Sequence, residues 1–218
     1  MEQIPEFTPE QQIIISNFIE TDYLRSNFYF TGGTALSNFY LHHRYSDDLD
    51  FFSTTKFENQ VLLTLIEEWS KKNDFTFTSR FIEVTYIFQL KFTNLSDLKV
   101  DFSYYPYKQI HKPVIHEGIS TDSLTDIAVN KLLTISQRTE VKDFVDLYFL
   151  LDHFSLYDLI EGVKQKFHQE IDTLLLAADF LKVEDFMILP RMKKGLQLAE
   201  LKLFYRDLAK KLGMNSVD

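Results

Sequence analysis

The sequence predicts an α+β protein with a mixed or antiparallel sheet flanked by helices in 1–120 and a C-terminal helical bundle in 121–218. Up to about Ser120, short aromatic and β-branched runs alternate with turn residues; beyond it, apolar residues recur at helical spacing with few strand signals. A composition that is 45% apolar, 25% charged and 15% aromatic is that of a globular chain, which excludes collagen-like, low-complexity and largely disordered architectures. The length suits two small domains, with the seam near Gly118 to Ser123.

The elements follow in order. Thr8-Pro9-Glu10-Gln11 is a capping box with proline at the first helical position, so a helix starts there and runs to about Ile19. Asn27 to Thr31 reads as a short strand, Gly32-Gly33 as a tight turn, and Thr34 to His42 as a helix with Leu36, Phe39 and Tyr40 on its apolar side. Leu49 to Ser53 is a second strand. Phe57 to Lys71 is a helix that turns Val61, Leu62, Leu65, Ile66 and Trp69 inward. Phe75 to Arg80, Glu83 to Phe92 and Leu98 to Tyr104 have strand composition and short polar connections, which suits an antiparallel meander. In the second half, Leu124 to Gln137, Val141 to Asp152, Leu156 to Phe167, Ile171 to Leu181 and Lys194 to Leu212 all carry helical periodicity.

Several classes of chemistry are excluded at once. Without cysteine there is no disulfide framework, thiolate zinc site, iron–sulfur cluster or cysteine nucleophile. Six histidines form neither HxH nor HExxH, so no zinc is assigned. Met1 to Glu10 lacks a basic and an apolar leader region, and no apolar run approaches the roughly 18 residues of a membrane span, so a soluble cytoplasmic protein with no membrane partner is expected. Lys and Arg total 23 against 32 Asp and Glu, a net −9 that argues against broad nonspecific DNA binding. The segment from Arg191 to Lys211 runs against this balance: seven basic residues face only Glu200 and Asp207. It is either the solvated face of a terminal helix or a phosphate-tracking surface.

The stretch Phe30 to Phe52, FTGGTALSNFYLHHRYSDDLDFF, holds the densest chemistry. A glycine pair between strand and helix lets the amides of Gly33 and Thr34 approach a phosphate, although glycine also serves such turns for steric reasons alone. Asp48 and Asp50 flank Leu49 at the start of a strand, so both carboxylates project to one side while Leu49 points to the core. Two acids this close repel unless a divalent cation neutralises them, and oxygen ligands suit Mg²⁺ or Mn²⁺; the plainer alternative is an acidic edge strand. Asp101 lies between Val100 and Phe102 on a later strand and faces away from both. If that strand neighbours the Asp48–Asp50 strand, three carboxylates converge beside a glycine turn, as metal-assisted nucleotidyl transfer requires.

Gly-Gly-Thr, then Asp-x-Asp, then a later strand Asp is similar to the signature of DNA polymerase β-like nucleotidyltransferases. More closely, GGTAL (Gly32 to Leu36) followed by Arg44-x-Ser46-x-Asp48-Leu49-Asp50-Phe51-Phe52 resembles the AbiEii/AbiGii toxin family of nucleotidyltransferases. Two further motifs of that family have counterparts: Lys131 in DIAVNKLLTISQR, and the run Lys142 to Leu151, KDFVDLYFLL. The resemblance spans about Phe30 to Leu151. It implies a polymerase β-like nucleotidyltransferase domain joined to a helical bundle, with an NTP as substrate and a nucleotide passed to an acceptor hydroxyl. For some members the acceptor is the 3′ end of tRNA, and the protein is the toxin of a toxin–antitoxin or phage-defence pair, which implies an antitoxin partner. By analogy Gly32, Gly33 and Thr34 hold the triphosphate, Asp48 and Asp50 bind metal with Asp101 completing the triad, and Lys131 and Asp143 take the remaining functional positions.

The helical half also has its own physical reading. Lys131, Thr134 and Arg138 share one helix face, so lysine and arginine could meet the β- and γ-phosphates together. Asp143 and Asp146 share a face of the next helix, where they could orient those cations or hold the acceptor; equally, the set could be a salt-bridge network joining two helices. Arg44 is read as pairing with Asp48 or touching a phosphate, and Ser46 as meeting a phosphate or capping a turn. A metal-dependent transferase acting on RNA is the first reading. A nucleotide-, RNA- or partner-binding module of the same fold, and a transferase with a small-molecule or protein acceptor, are the alternatives.

Overall fold

A computed structural model describes residues 7–215 of the chain. Of the stretch 1–10, inspected above for a leader, residues 1–6 lie outside the described residues. The described residues divide into two units: the first takes 7–40, 46–108 and 112–123, the second 41–45, 109–111 and 124–215.

In the first unit, α1 (Pro9–Glu20) starts at the Thr8 cap, with the reciprocal Thr8 and Gln11 side-chain bonds of a capping box. A short α2 (Asp22–Asn27) follows, so Asn27 ends a helix and β1 is only Tyr29–Thr31. Next, α3 (Gly32–Ala35) widens into a π-helical turn, Leu36–Leu41, where the sequence predicted regular winding. The remaining elements are β2 (Leu49–Ser53), α4 (Asn59–Asn73), β3 (Phe75–Ile82), β4 (Thr85–Phe92), β5 (Leu98–Tyr104), β6 (Val114–His116) and β7 (Ile119–Thr121). The last two are short strands at and just before the stretch that the sequence offered as a seam.

The seven strands form one mixed sheet in the order β3-β4-β5-β2-β1-β7-β6. The expected meander β3-β4-β5 is antiparallel, and β5 then lies parallel to β2, while β2 is antiparallel to β1. Strand alternation sorts the side chains. Leu49, Phe51, Val100 and Phe102 are fully buried on one face of β2 and β5, which leaves Asp50 and Asp101 to the other. The core face is pinned by stacked rings: Phe18 of α1 lies 4.3 Å from Phe51 at 12°, and Phe51 lies 5.2 Å from Phe102 at 20°. Slipping β2 by one residue would bury Asp50 and expose Phe51, so the aromatic packing sets the register of the acidic face.

The second unit is helical: α5 (Leu124–Gln137), α6 (Val141–Leu150), α7 (Leu156–Phe167), α8 (Thr173–Leu181) and α9 (Leu198–Asn215). Gly162 of α7 sits against α5, where a Cβ would come within 2.4 Å of Val129 Cγ2. A buried ion pair fastens the same helices, with Lys166 Nζ 2.7 Å from Asp126 Oδ1. The Asp126 carboxylate also accepts the Ile110 and His111 amides at 2.9 and 3.0 Å. No helix among the described residues is long and apolar enough to cross a membrane.

Glycines test this packing. Gly162→Ala should destabilise the protein by about 1–3 kcal/mol through overpacking, whereas Gly213→Ala, with no atom within 4 Å of the new methyl, should stabilise it by about 0.5 kcal/mol. Urea unfolding followed by circular dichroism measures both, and equal effects would contradict the close approach of α7 to α5.

Candidate active site

The first unit sets three sequence-predicted residues, Gly32, Asp50 and Asp101, next to one another. Cross-strand register places Thr31 beside Asp50 and Asp50 beside Asp101, so the glycine turn that follows Thr31 lies next to the two strand acids. Gly32 has φ +74°, and a Cβ there would stand 2.1 Å from Asp50 Oδ2. Both the backbone and the approaching carboxylate therefore demand glycine. Asp48 lies one residue before β2, beyond the buried Leu49. The buried Thr34 hydroxyl donates to the Asp48 carbonyl, and Gln11 Nε2 donates to the carbonyls of Ser46 and Asp47 at 2.9 Å each. The approach to the acids is thus tied to α3 and to α1.

A cation stands among these acids that the sequence reading missed. Lys99, two residues before Asp101 and on the same face of β5, places Nζ 2.5 Å from Asp101 Oδ2. Burial pulls the Lys99 ammonium down, but the bond to Asp101 and the charges of Asp101, Asp50 and Asp48 outweigh it and carry its pKa above the ordinary lysine value. Asp101 is pushed up by burial, with Lys99 pulling it back, Asp48 adding to the rise and Arg80 opposing it. Its second oxygen, Oδ1, is buried and among the described residues has no hydrogen-bond partner. Among the described residues no group of three or more histidines, aspartates or glutamates is placed to hold a metal ion, so the expected convergence of Asp48, Asp50 and Asp101 on one ion is not found. The donor set nevertheless suits a hard divalent ion: carboxylate oxygens alone, one buried oxygen unsatisfied, and a side chain-free turn at Gly32 against Asp50.

In the second unit, the other predicted residues form a buried ionic cluster. Asp146 Oδ1 receives Arg44 Nε at 2.6 Å and His43 Nε2 at 2.7 Å, while Oδ2 receives Arg44 Nη2 at 2.9 Å and Lys131 Nζ at 2.6 Å. Asp143 takes Lys131 Nζ at 2.8 Å and the Arg138 fork at 2.8 and 3.2 Å. Burial alone would raise Asp146, yet Lys131, Arg44 and His43 hold its carboxyl well below the usual range. Burial lowers the pKa of His43 despite Asp146, so the ring is neutral near pH 7 and carries its proton on Nε2, facing the carboxylate. Its Nδ1 is buried and among the described residues has no hydrogen-bond partner.

A family model described as "Nucleotidyl transferase AbiEii toxin, Type IV TA system" matches residues 14–214. The chain belongs to the AbiEii nucleotidyltransferase toxin family. It is 32% identical over 169 residues to the uncharacterized protein aq_aa25 of Aquifex aeolicus (strain VF5), covering 73% of this chain and 75% of that one. Among solved structures it is similar to JHP933 from Helicobacter pylori, with TM-score 0.54 and 22% identity over 94% of this chain and 91% of that one. It is also similar to MenT4, the nucleotidyltransferase toxin Rv2826c from Mycobacterium tuberculosis H37Rv, with TM-score 0.52 and 16% identity over 92% and 82%. Those two likenesses establish the fold, and the family match makes the protein a nucleotidyltransferase.

The AbiEii-family motifs take their places unevenly. Arg44 has a partner that neither of its sequence readings named, since Asp146 holds its fork and its Nη1 donates to the Tyr45 carbonyl at 2.9 Å. This guanidinium is only 3% exposed. Thr34 commits its hydroxyl to Asp48, so only its amide is left for a phosphate. Among the described residues no hydrogen bond engages the Ser46 hydroxyl, and the turn-capping reading lapses. Lys131 and Arg138 are bound by Asp143 and Asp146, which is the salt-bridge network the sequence left open. In the basic segment, Arg206 and Lys202 pair with Glu184, while Arg191 and Lys193 lie over the Tyr45 ring at 4.5 and 4.9 Å. Lys99 was discoverable from strand alternation, because its i, i+2 spacing to Asp101 puts both on one face.

The cluster has a measurable acid signature. Asp146→Asn should cost about 3–5 kcal/mol at pH 7, because it leaves buried cations without their counter-charge. With the folded pKa depressed, the native carboxylate stabilises the fold above its unfolded pKa of about 3.9, and that contribution fades as pH falls below it. Denaturant titrations from pH 7 to pH 3 should therefore show a shallower acid loss for the variant; parallel curves would place the charge elsewhere.

Proposed function

We propose that this enzyme transfers a nucleotide from an NTP to a hydroxyl on RNA, tRNA being the acceptor best suited, with Mg²⁺ or Mn²⁺ held by Asp48 and Asp50 and completed by Asp101. When bound, the metal would activate the attacking hydroxyl and offset charge on the departing pyrophosphate. The observation that carries the reading is the register that sets Asp50 beside Asp101 with Gly32 pressed against the Asp50 carboxylate.

The chain's own groups then divide the work. The open turn at Gly32 and Gly33, with the Gly33 and Thr34 amides at a helix start, receives the triphosphate. Asp48, Asp50 and Asp101 supply the negative oxygens. In the helical unit, Lys131 and Arg138 are the nucleotide-binding cations of this reading, with Asp143 holding both and Asp146 holding Lys131. Ser46 keeps its hydroxyl for a phosphate oxygen. In the cell the protein works in the cytoplasm as the toxin of a toxin–antitoxin or phage-defence pair, restrained by an antitoxin partner.

Label transfer tests the centre. With each radiolabelled NTP and total cellular RNA, the native protein should mark one RNA class, and Asp48→Ala or Asp50→Ala should lower transfer by at least a hundredfold with an unchanged circular dichroism spectrum. Undiminished transfer in both variants would refute the site, and nucleotide binding with no pyrophosphate release under any acceptor would favour the non-catalytic module. The RNA reading has a separate check at the basic segment. Combined Glu substitutions at Lys193, Lys194, Lys210 and Lys211 should weaken RNA binding and reduce its salt slope by roughly one for each phosphate no longer neutralised; an unaltered slope would remove RNA as the acceptor docked there.

A further inference from the structure

Lys99 has no part in the reading above, yet it pairs with one of the acids of that face. Its Nζ lies 2.5 Å from Asp101 Oδ2, and the register of β2 on β5 sets Asp50 beside Asp101. Three carboxylates of one sign on adjoining backbone need a positive charge when no divalent ion is there, and the chain brings its own from the same strand face. The match is incomplete: an ammonium binds one Asp101 oxygen and leaves Oδ1 buried and unsatisfied. A resident unit charge beside three acids also lowers what a divalent ion gains by entering, because the ion must compete with or repel that cation.

We propose that Lys99 is a tethered counter-ion that competes with the divalent metal for Asp48, Asp50 and Asp101, so that metal binds weakly alone and well only in company with a triphosphate. The proposal rests on the metal reading of those three acids. Once displaced from Asp101, the ammonium needs an anionic partner, and the polyphosphate that accompanies the metal provides one. Entry of metal and substrate is thereby coupled by charge, and the acids are kept in position until both arrive. The side chain is 30% exposed, so it has room to move without opening the core.

Calorimetric titration of the intact protein with Mn²⁺ alone, and separately with Mn²⁺ plus inorganic tripolyphosphate, tests this without any turnover. Lys99→Met, which keeps length and removes charge, should bind Mn²⁺ alone at least about tenfold more tightly than the native protein. Lys99→Gln should do likewise, and Lys99→Arg, which restores a cation, should return to weak binding. The native protein should gain more Mn²⁺ affinity from tripolyphosphate than Lys99→Met does. Unchanged or weaker Mn²⁺ binding in both neutral variants would overturn the counter-ion role, as would an equal gain from tripolyphosphate in native and Met proteins. Asp50→Asn separates the two levels: Mn²⁺ binding should fall in both the native and the Lys99→Met backgrounds. Persistence of full Mn²⁺ affinity in Asp50→Asn would overturn the metal site itself, and the Lys99 inference with it.

Discussion

Like charges held on neighbouring strands repel, by about 1 kcal/mol per pair at 4 Å in water and about 4 kcal/mol at the effective dielectric of a protein surface. In the first unit that repulsion is imposed by the hydrophobic core. Phe18, Phe51 and Phe102 stack on one face of the sheet, and with Leu49 and Val100 buried beside them the register of β2 and β5 admits no slip. Asp50 and Asp101 must then stand side by side on the opposite face, next to a turn whose glycine leaves no space for a side chain. The acidity of the site is a consequence of aromatic packing on the far side of a single layer.

The two units answer the same electrostatic problem in different ways. In the helical unit every oxygen of Asp143 and Asp146 receives at least one donor, from Lys131, Arg138, Arg44 or His43. The carboxylates of this network are satisfied, although His43 Nδ1 is not, and moving Lys131 or Arg44 would leave a buried carboxylate without its counter-charge. On the sheet, Lys99 bonds one Asp101 oxygen, and among the described residues the other oxygen has no hydrogen-bond partner. An unsatisfied buried carboxylate oxygen is costly.

The membership of Lys131, Asp143 and Asp146 in one cluster gives the family's helical motifs a physical reason. A lysine at the centre of two carboxylates keeps its charge in spite of burial, and Arg138, half-exposed, is steered by the same Asp143. Tyr205 closes the cluster from α9 by donating to the Phe144 carbonyl at 2.7 Å, and burial together with the two acids pushes its phenol well above the ordinary value. Orientation of cations by buried acids is the function that this geometry supports directly.

Much of this was legible along the chain. The capping box at Thr8 and the bounds of β2, α5 and α7 follow from periods of 2 and 3.6 residues, which steric rules impose on any segment. The π-helical turn at Leu36–Leu41 and the short strands β6 and β7 were not legible, because three-residue strands and one wide turn carry too little pattern to rise above local composition. Partners of long polar side chains were hidden for another reason. Arg44, Lys131 and Lys99 each have several rotamers, and which carboxylate they meet depends on what packing leaves within reach, 102 residues away for Arg44 and Asp146. The sequence by itself determined which faces are acidic and which are apolar, since that is decided residue by residue through alternation. Only the tertiary structure decided that β5 lies beside β2, that Lys99 sits among the acids and that Arg44 belongs to Asp146, because pairing between distant segments is chosen by the core they bury together.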